Sequence, residues 1–110
     1  MAIAFTSPMD YSNDMEFEWD EAKSNACFVK RGFDFAHAAK AFFDTHRLIE
    51  ADERQSYGED RYQMIGMIEG RVFVIVFTPR QDVIRIISAR KANHREVKHY
   101  ENSQNENKSK

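Results

Sequence analysis

A cluster of cations near the end of the chain is the pattern most typical of a chemical function. Its members are Arg85, Arg90, Lys91 and Arg95. Arg85 lies within an apolar stretch, and the other three follow it. Arginine stays charged at any working pH, and its planar set of N–H donors matches the oxygens of a phosphate group. The cluster therefore predicts an anion-binding surface, and nucleic acid is the first anion to consider.

The spacing of two of these arginines limits how they can act together. Successive side chains of a strand point to opposite faces of a sheet, so Arg85 and Arg90 would project from opposite faces of a straight strand. We therefore expect a bulge or a bend near Ser88 if both arginines contact one phosphate.

The charge of the whole chain indicates that such a surface has to be local. The 110 residues include 16 Lys and Arg against 18 Asp and Glu, which gives a formal net charge of −2. A net negative charge repels phosphate at long range, so nucleic-acid binding depends on a local basic patch. The hydrophobic content of 42% and the charged content of 31% are typical of one globular domain.

Cysteine content and hydropathy indicate a cytoplasmic protein. The single cysteine, Cys27, excludes an internal disulfide and fits a reducing compartment. No apolar run reaches the roughly 18 residues that a membrane-spanning helix needs, and the first residues lack the cationic start of a signal peptide. Cysteine and histidine do not recur at metal-ligand spacing, so we expect no metal site and no cofactor. Because no apolar run is long enough to span a bilayer, we also expect no membrane partner.

Capping residues predict three helices. Asp20 is a suitable N-cap for the first helix, and Gly32 suits its C-terminal end. Asp34 suits the N-cap of the second helix, whose apolar residues recur at i, i+3, i+4 and i+7. Those apolar residues are Phe35, Ala38, Ala39 and Phe42. Asn93 with Glu96 is a capping-box pattern, which predicts a final helix that ends at about residue 100.

Runs of apolar and β-branched residues predict five strands. They cover residues 15–19, 46–51, 62–68, 72–77 and 83–89. Residues 72–77 are apolar on both faces and are expected at the centre of the sheet. Glu69-Gly70 predicts a two-residue hairpin turn, and residues 78–81, with Pro79 at the second position, predict another turn.

The order of these elements predicts an α+β fold. We expect a mostly antiparallel sheet with two N-terminal helices and one C-terminal helix. Residues 15–101 form the expected domain. Residues 1–14 and 102–110 are expected to be flexible tails, because residues 6–14 mix turn formers with acid and have no periodicity and residues 102–110 contain no apolar residue.

Four segments of the chain resemble the BrnT family of toxins from type II toxin–antitoxin systems. They are Phe17-Glu18-Trp19-Asp20 with Ala22-Lys23, Lys30-Arg31-Gly32 with Phe35, Glu59-Asp60-Arg61-Tyr62 with Ile65-Gly66, and Arg85-Ile86-Ile87-Ser88-Ala89-Arg90-Lys91-Ala92 with Glu96 and Tyr100. They occur in the family's order and cover nearly all of residues 15–101. The resemblance implies a RelE-like ribonuclease fold and a small RNA-cleaving toxin that inhibits translation and growth.

The resemblance also implies partners. A toxin of this family is neutralised by a cognate antitoxin encoded beside it, a BrnA-like DNA-binding protein. The two proteins usually form a complex that binds DNA and represses their own genes. Because the net charge of this chain is −2, we expect the antitoxin to supply most of the contacts to operator DNA.

Metal-independent RNA cleavage requires the ribose 2′-hydroxyl to attack the adjacent phosphorus. The reaction needs cations around the pentavalent phosphate, a base for the hydroxyl and an acid for the leaving oxygen. The resemblance and this chemistry together select five catalytic candidates, which are Arg61, Arg85, Arg90, Lys30 and Glu59. Three further cations, Arg31, Lys91 and Arg95, are expected to contact RNA.

The identity of the general base stays open at this point. Arginine does not deprotonate near neutrality and is a poor base. The base is therefore Glu59, Lys30 as a neutral amine, or a nearby histidine such as His94 or His99. The family often has histidine at the position that Arg31 occupies in this chain, and this departure leaves the acid and the base unassigned.

Two alternative hypotheses use the same residues. In the first, the chain is a catalytically silent toxin homologue that binds an antitoxin and acts in transcriptional autoregulation, which Arg31 favours. In the second, it is a structural or ligand-binding α+β domain whose cations form ordinary surface ion pairs. The intact Arg61, Arg85 and Arg90 count against the first alternative, and the clustering of the cations counts against the second.

Overall fold

The computed structural model describes residues 2–7, 13–53 and 58–108, with side chains for residues 15–53 and 58–104. Its strands are β1 (Ala2–Ser7), β2 (Asn13–Trp19), β3 (Leu48–Ala51), β4 (Tyr62–Ile68), β5 (Arg71–Arg80) and β6 (Val83–Lys91). Its helices are α1 (Glu21–Arg31), α2 (Phe35–Ala38) and α3 (His94–Lys108), and a 3₁₀ helix (Ala39–Phe43) directly follows α2. The predicted α+β class is confirmed.

The six strands form one mixed sheet in the order β1-β2-β6-β5-β4-β3. β2 and β6 run parallel, whereas the other neighbouring strands run antiparallel. The prediction of a mostly antiparallel sheet is therefore corrected to a mixed sheet. Turn residues specify which consecutive strands form hairpins, but β2 and β6 are far apart in the sequence and no local signal specifies their pairing.

Each face of the sheet carries its own core. The larger core lies under α1, α2 and the 3₁₀ helix, and Phe42 packs there against Phe17 and Phe77 with ring centroids 5.0 Å apart in each pair. The smaller core lies under α3 and contains Ile65, Val72, Val74 and Tyr100. β5 contributes to both cores, which explains why its sequence is apolar on both faces and why it lies at the centre of the sheet.

α1 begins and ends at the predicted residues. The carboxylate of Asp20 accepts hydrogen bonds from the N–H groups of Ala22 at 2.9 Å and Lys23 at 3.3 Å. Gly32 follows the helix in the left-handed conformation, with φ of 88°, which glycine adopts without strain. These caps fix the direction of the helix that carries Lys23, Lys30 and Arg31.

The second predicted helix is shorter than its apolar pattern suggests. Asp34 accepts from His37 N–H at 2.9 Å as an N-cap, but the α-helix has a single turn and the chain continues as the 3₁₀ helix. Ala41 of the 3₁₀ helix lies so close to β4 that a Cβ on Gly66 would come within 2.9 Å of its backbone oxygen. This close packing against the sheet is a tertiary feature that helical periodicity does not report.

One predicted turn is confirmed and the other is wrong. Glu69 and Gly70 connect β4 to β5 with positive φ angles of 49° and 84°, as a type I′ turn requires. The turn predicted at residues 78–81 does not occur there, because β5 continues to Arg80 and the chain turns at residues 81–82. The pairing of β5 with β4 ends at Phe77, opposite Tyr62. Among the described residues, Pro79 therefore has a neighbouring strand only on the β6 side, and the N–H that proline lacks is not needed on the other side.

Two elements lie in segments that the sequence predicts as tails. β1 runs antiparallel to β2, with Ala2 opposite Glu18 and Ser7 opposite Asn13. α3 continues past residue 101 to Lys108. Residues 102–108 contain no apolar residue, whereas β1 contains Ile3 and Phe5, an alternation too short to predict a strand. The domain boundaries at residues 15 and 101 stay a prediction.

Asp44 connects the loop after the 3₁₀ helix to β4 and α3. Its carboxylate accepts from the N–H of His46 at 2.9 Å, from the N–H of Met67 at 2.8 Å and from the hydroxyl of Tyr100 at 2.5 Å. Burial by itself raises the pKa of Asp44, but the hydrogen bonds from Tyr100, His46 and Met67 outweigh this effect and hold the pKa below its ordinary value. The ionised carboxylate therefore stabilises the fold.

We expect Asp44→Asn to lower the free energy of unfolding by about 1–3 kcal/mol, because an amide cannot accept all three hydrogen bonds and leaves a donor unpaired. Since the folded pKa is depressed, this contribution is present above the unfolded pKa of about 3.9 and is lost as the pH falls through the folded pKa. Urea denaturation at neutral pH and in acid measures both effects. Asp34→Asn, which keeps an N-cap, is the control, and an equal loss in both variants would contradict this role of Asp44.

Candidate nucleic-acid interface

β6 contains a bulge beside Ser88, the place where a bulge or bend is expected if Arg85 and Arg90 contact one phosphate. Val76 of β5 pairs with Ser88, and Phe77 pairs with Ile86, so one extra residue of β6 lies between these two pairs. The bulge leaves Ile86 and Ala89 both in the larger core, 1% and 3% exposed, although they are three residues apart. The backbone of the flanking residues Arg85 and Arg90 therefore directs both side chains away from the larger core. Arg90, near the end of β6, nevertheless borders a concavity with Arg31 and Phe33.

The two arginines share a face without converging on one point. Their partners on β5 are four residues apart, which corresponds to about 13 Å along the strand. Arg85 donates to Glu18 at 3.3 Å, whereas Arg90 donates to Glu96 at 2.7 and 2.8 Å. The pair therefore suits two phosphates of one strand better than a single phosphate.

α1 lies beside the bulge and forms a groove with it. Three cations of α1 lie at i, i+7 and i+8 on one face of the helix, and these are Lys23, Lys30 and Arg31. They line a concavity of about 510 Å³ together with Ser88 of the bulge and Arg61, which precedes β4. None of the described residues that line it is acidic. This concavity is termed the bulge groove.

A second concavity, of about 400 Å³, shares Arg31 with the bulge groove. Phe33, Arg90 and Lys91 are its other lining residues, so it also has no acidic side chain among the described residues. The two concavities together are termed the cationic track, and its six cations are Lys23, Lys30, Arg31, Arg61, Arg90 and Lys91. The track is a local basic patch of the kind that a chain of net charge −2 needs for binding nucleic acid.

Carboxylates bind three of the candidate arginines. The pairs are Arg61 with Glu59 at 3.0 Å, Arg85 with Glu18 at 3.3 Å and Arg90 with Glu96 at 2.7 Å. All of these side chains are partly exposed. Because an exposed ion pair contributes at most about 1 kcal/mol, an incoming phosphate can replace Glu18 on Arg85 at little energetic cost.

Glu59 is poorly suited to act as a general base. It accepts hydrogen bonds from Arg61 at 3.0 Å and from Arg80 at 3.4 Å. The hydrogen bond from Arg61 is the main cause that holds the pKa of Glu59 below its ordinary value, and Arg80 acts in the same direction. A carboxylate with a lowered pKa is a weaker base. The geometry therefore favours a role in orienting Arg61.

Neither histidine considered as a base lines the track. His99 Nε2 lies 2.9 Å from Glu50 Oε2 and connects α3 to β3. His94 is exposed at the start of α3 and lines neither concavity. Of the bases predicted from the sequence, only Lys30 lines the track.

Cys27 lies at the floor of the bulge groove as a structural residue. Its thiol is 3.6 Å from the backbone oxygen of Ala89, directly after the bulge. Burial raises the pKa of Cys27, and the charge and hydrogen bond of Arg31 offset this effect only in part. A protonated thiol is a poor nucleophile, so Cys27 contributes by holding α1 against β6.

The structure places five of the eight site residues predicted from the sequence in the track, and these are Lys30, Arg31, Arg61, Arg90 and Lys91. Glu59 binds Arg61, whereas Arg85 and Arg95 line neither concavity. Sequence reasoning missed Lys23 and Ser88. The seven-residue spacing from Lys23 to Lys30 was the available signal for Lys23, because it places both cations on one helix face.

Among the described residues, no group of three or more His, Cys, Asp or Glu side chains is arranged to hold a metal ion. In the described part of the chain, no helix is long and apolar enough to span a bilayer.

Comparison with known proteins agrees with the sequence motifs. Residues 19–96 match the sequence model of the family described as ribonuclease toxin, BrnT, of type II toxin–antitoxin system. This range is more than half of the 110 residues and contains α1, the bulge and all six cations of the track. No curated protein matches the chain significantly. The resemblance carried by the four sequence segments is confirmed, and the chain belongs to the BrnT family of ribonuclease toxins from type II toxin–antitoxin systems.

Proposed function

We propose that the chain is an endoribonuclease that cleaves RNA by attack of the 2′-hydroxyl on the adjacent phosphorus, without a metal. The observation that carries the proposal is the cationic track, whose two concavities contain six cations and no described acidic side chain. Cations around a phosphate stabilise the negative charge that develops in the pentavalent transition state. Cleavage of cellular RNA then inhibits translation and growth.

The cations of the track take different roles in this proposal. Lys30 and Arg61 line the bulge groove and are assigned to the reacting phosphate. Arg90 and Lys91 line the second concavity and are assigned to a neighbouring phosphate of the same strand. Lys30 is also assigned the proton transfer, because it is the predicted base that lines the track. As the neutral amine it takes the proton of the 2′-hydroxyl, and the ammonium so formed stabilises the phosphate and gives the proton to the leaving 5′-oxygen. Arg85 binds a further phosphate once Glu18 is displaced.

The antitoxin is the partner that the family implies, and we propose how it acts. A BrnA-like DNA-binding antitoxin covers the cationic track with acidic side chains, since complementary charge gives specificity and fast association. It also supplies most contacts to operator DNA, because the net charge of the toxin is −2. The toxin acts in the cytoplasm, and its fold is proposed to be RelE-like.

Incubation of the purified chain with a single-stranded RNA in the presence of EDTA tests the proposed reaction. Attack by the 2′-hydroxyl leaves a 2′,3′-cyclic phosphate on one fragment and a 5′-hydroxyl on the other, and we expect both ends. The matched control is the all-2′-deoxy oligonucleotide of the same sequence, which presents the same phosphates but lacks the nucleophile. Failure of the folded chain to cut RNA, or cleavage that requires added metal, would contradict the proposal.

A further inference from the structure

Glu96 lies at the junction between β6 and α3 and binds groups from both elements. Its Oε1 accepts from Asn93 N–H at 2.9 Å, and its own N–H donates to Asn93 Oδ1 at 2.8 Å, which completes the capping box. The same carboxylate accepts from Arg90 Nη1 at 2.8 Å and from Arg90 Nη2 at 2.7 Å. One side chain therefore starts the helix and also holds a guanidinium on two oxygens.

This pair differs from the other ion pairs at the site. Arg61 binds Glu59 at 3.0 Å and Arg85 binds Glu18 at 3.3 Å, whereas Arg90 binds Glu96 through two contacts of 2.7 and 2.8 Å. The Glu96 side chain is only 16% exposed, and the hydrogen bond that it accepts from Asn93 N–H restrains its orientation. A bidentate bond to a fixed carboxylate fixes the plane of the guanidinium as well as its position.

The guanidinium held in this way belongs to the track. Arg90 lines the second concavity with Arg31 and Lys91, and its side chain is 39% exposed and therefore accessible to a ligand. The hydrogen bond from Arg90 is the main cause that holds the pKa of Glu96 below its ordinary value, so the carboxylate is ionised at neutral pH. A donor that is oriented before the ligand arrives loses less side-chain freedom on binding.

We propose that Glu96 is a positioning residue that holds Arg90 toward a phosphate of RNA bound in the track. The inference rests on the proposed function, because it takes the track to be the RNA site. In this proposal α3 contributes to the site indirectly. Its first turn supplies the Glu96 carboxylate, which orients Arg90 of β6, and Glu96 itself does not contact RNA.

The opposite role for the same contact is occlusion, in which Glu96 competes with phosphate for Arg90. Glu96→Gln separates the two roles by the sign of its effect. Glutamine at this position keeps the capping box, so α3 still begins at the same residue, but it cannot accept two hydrogen bonds from Arg90 through two oxygens. Loss of positioning weakens RNA binding, whereas removal of an occluding charge strengthens it.

A double-mutant cycle of Glu96→Gln and Arg90→Ala tests the proposal, with single-turnover cleavage of a single-stranded RNA and with fluorescence anisotropy of its all-2′-deoxy counterpart. We expect Glu96→Gln alone to weaken both cleavage and binding by about tenfold, the size of coupling that residues in contact show. In the Arg90→Ala background, the same substitution is expected to change neither by more than about twofold. A purely structural role of Glu96 would give equal losses in both backgrounds.

Tighter binding by Glu96→Gln, or equal losses in both backgrounds, would overturn the positioning role. Thermal melting of the unaltered chain, the two single variants and the double variant shows whether each is folded at the assay temperature. Because glutamine keeps the capping box, we expect all four proteins to be folded there. The anisotropy cycle does not require cleavage. If the unaltered chain binds the deoxy oligonucleotide but cuts no RNA, the proposed reaction fails while the cycle still decides the role of Glu96.

Discussion

Arg61→Ala is expected to lower the rate of RNA cleavage by about 10²–10³-fold, the usual effect of removing one donor from the charge that develops in a transition state. Arg61 lines the bulge groove opposite the cations of α1 and is oriented by Glu59 at 3.0 Å. Arg61 belongs to neither core, so its replacement opens no cavity in either of them. We therefore expect the free energy of unfolding to change little, as measured by urea denaturation beside the cleavage assay.

Arg80→Ala is the matched control for this variant. Arg80 binds the same carboxylate, Glu59, at 3.4 Å, but its side chain is 56% exposed and it lines neither concavity. Its removal changes the net charge by the same amount and breaks a comparable surface pair. We expect cleavage within about threefold of the unaltered chain, because an exposed ion pair contributes little. Similar losses from both variants would show that total charge, and not the position of Arg61, determines the rate.

The elements that the sequence predicts well depend on residues within about four positions of each other. The capping box is an example, since Asn93 and Glu96 form both of its hydrogen bonds, at 2.8 and 2.9 Å. The hairpin turn at Glu69 and Gly70 is another, because its positive φ angles follow from two adjacent residues. Such signals are complete within the local sequence, so no knowledge of the tertiary structure is needed to read them.

The elements that the sequence predicts poorly depend on distant partners. The parallel pairing of β2 with β6 joins Glu18 to Arg85, and the residues of neither strand specify the other as a neighbour. Pro79 predicts a turn by its type, but it lies in β5 at a place where one edge of the strand lacks a neighbour. Whether that edge is open depends on where β4 begins, which the residues around Pro79 do not encode.

The candidate site also has some features that residue type predicts and others that depend on contacts between distant residues. Residue type and motif select arginines suited to phosphate, and the need for two of them on one face predicts the bulge of β6. Residue type does not show that Glu59 is bound by Arg80 from the end of β5 as well as by Arg61. The hydrogen bond from Arg61, and to a smaller extent the one from Arg80, holds the pKa of Glu59 below its ordinary value. The contact with Arg80 exists only in the folded chain.

The double variant Lys30→Gln, Arg31→Gln is expected to weaken RNA binding by about 10- to 100-fold at moderate salt, because two cations of the track lose their charge. The slope of log affinity against log salt concentration is expected to fall in magnitude by about 1.4, since each phosphate contact on a single strand contributes about 0.7. Fluorescence anisotropy over a series of salt concentrations measures both quantities. Glutamine keeps the helical propensity of α1 close to that of lysine and arginine, so the fold is expected to persist.

A second double variant, Lys40→Gln, Lys98→Gln, separates the local patch from the field of the whole chain. Both lysines are exposed and neither lines the track, yet their loss changes the net charge by the same amount. If affinity depends on the track, this variant keeps its salt slope within about 0.3 of the original, because no phosphate contact is removed. Equal weakening by both pairs would mean that long-range charge governs binding. In that case the absence of acidic side chains among the described residues of the track would have no bearing on where RNA lies.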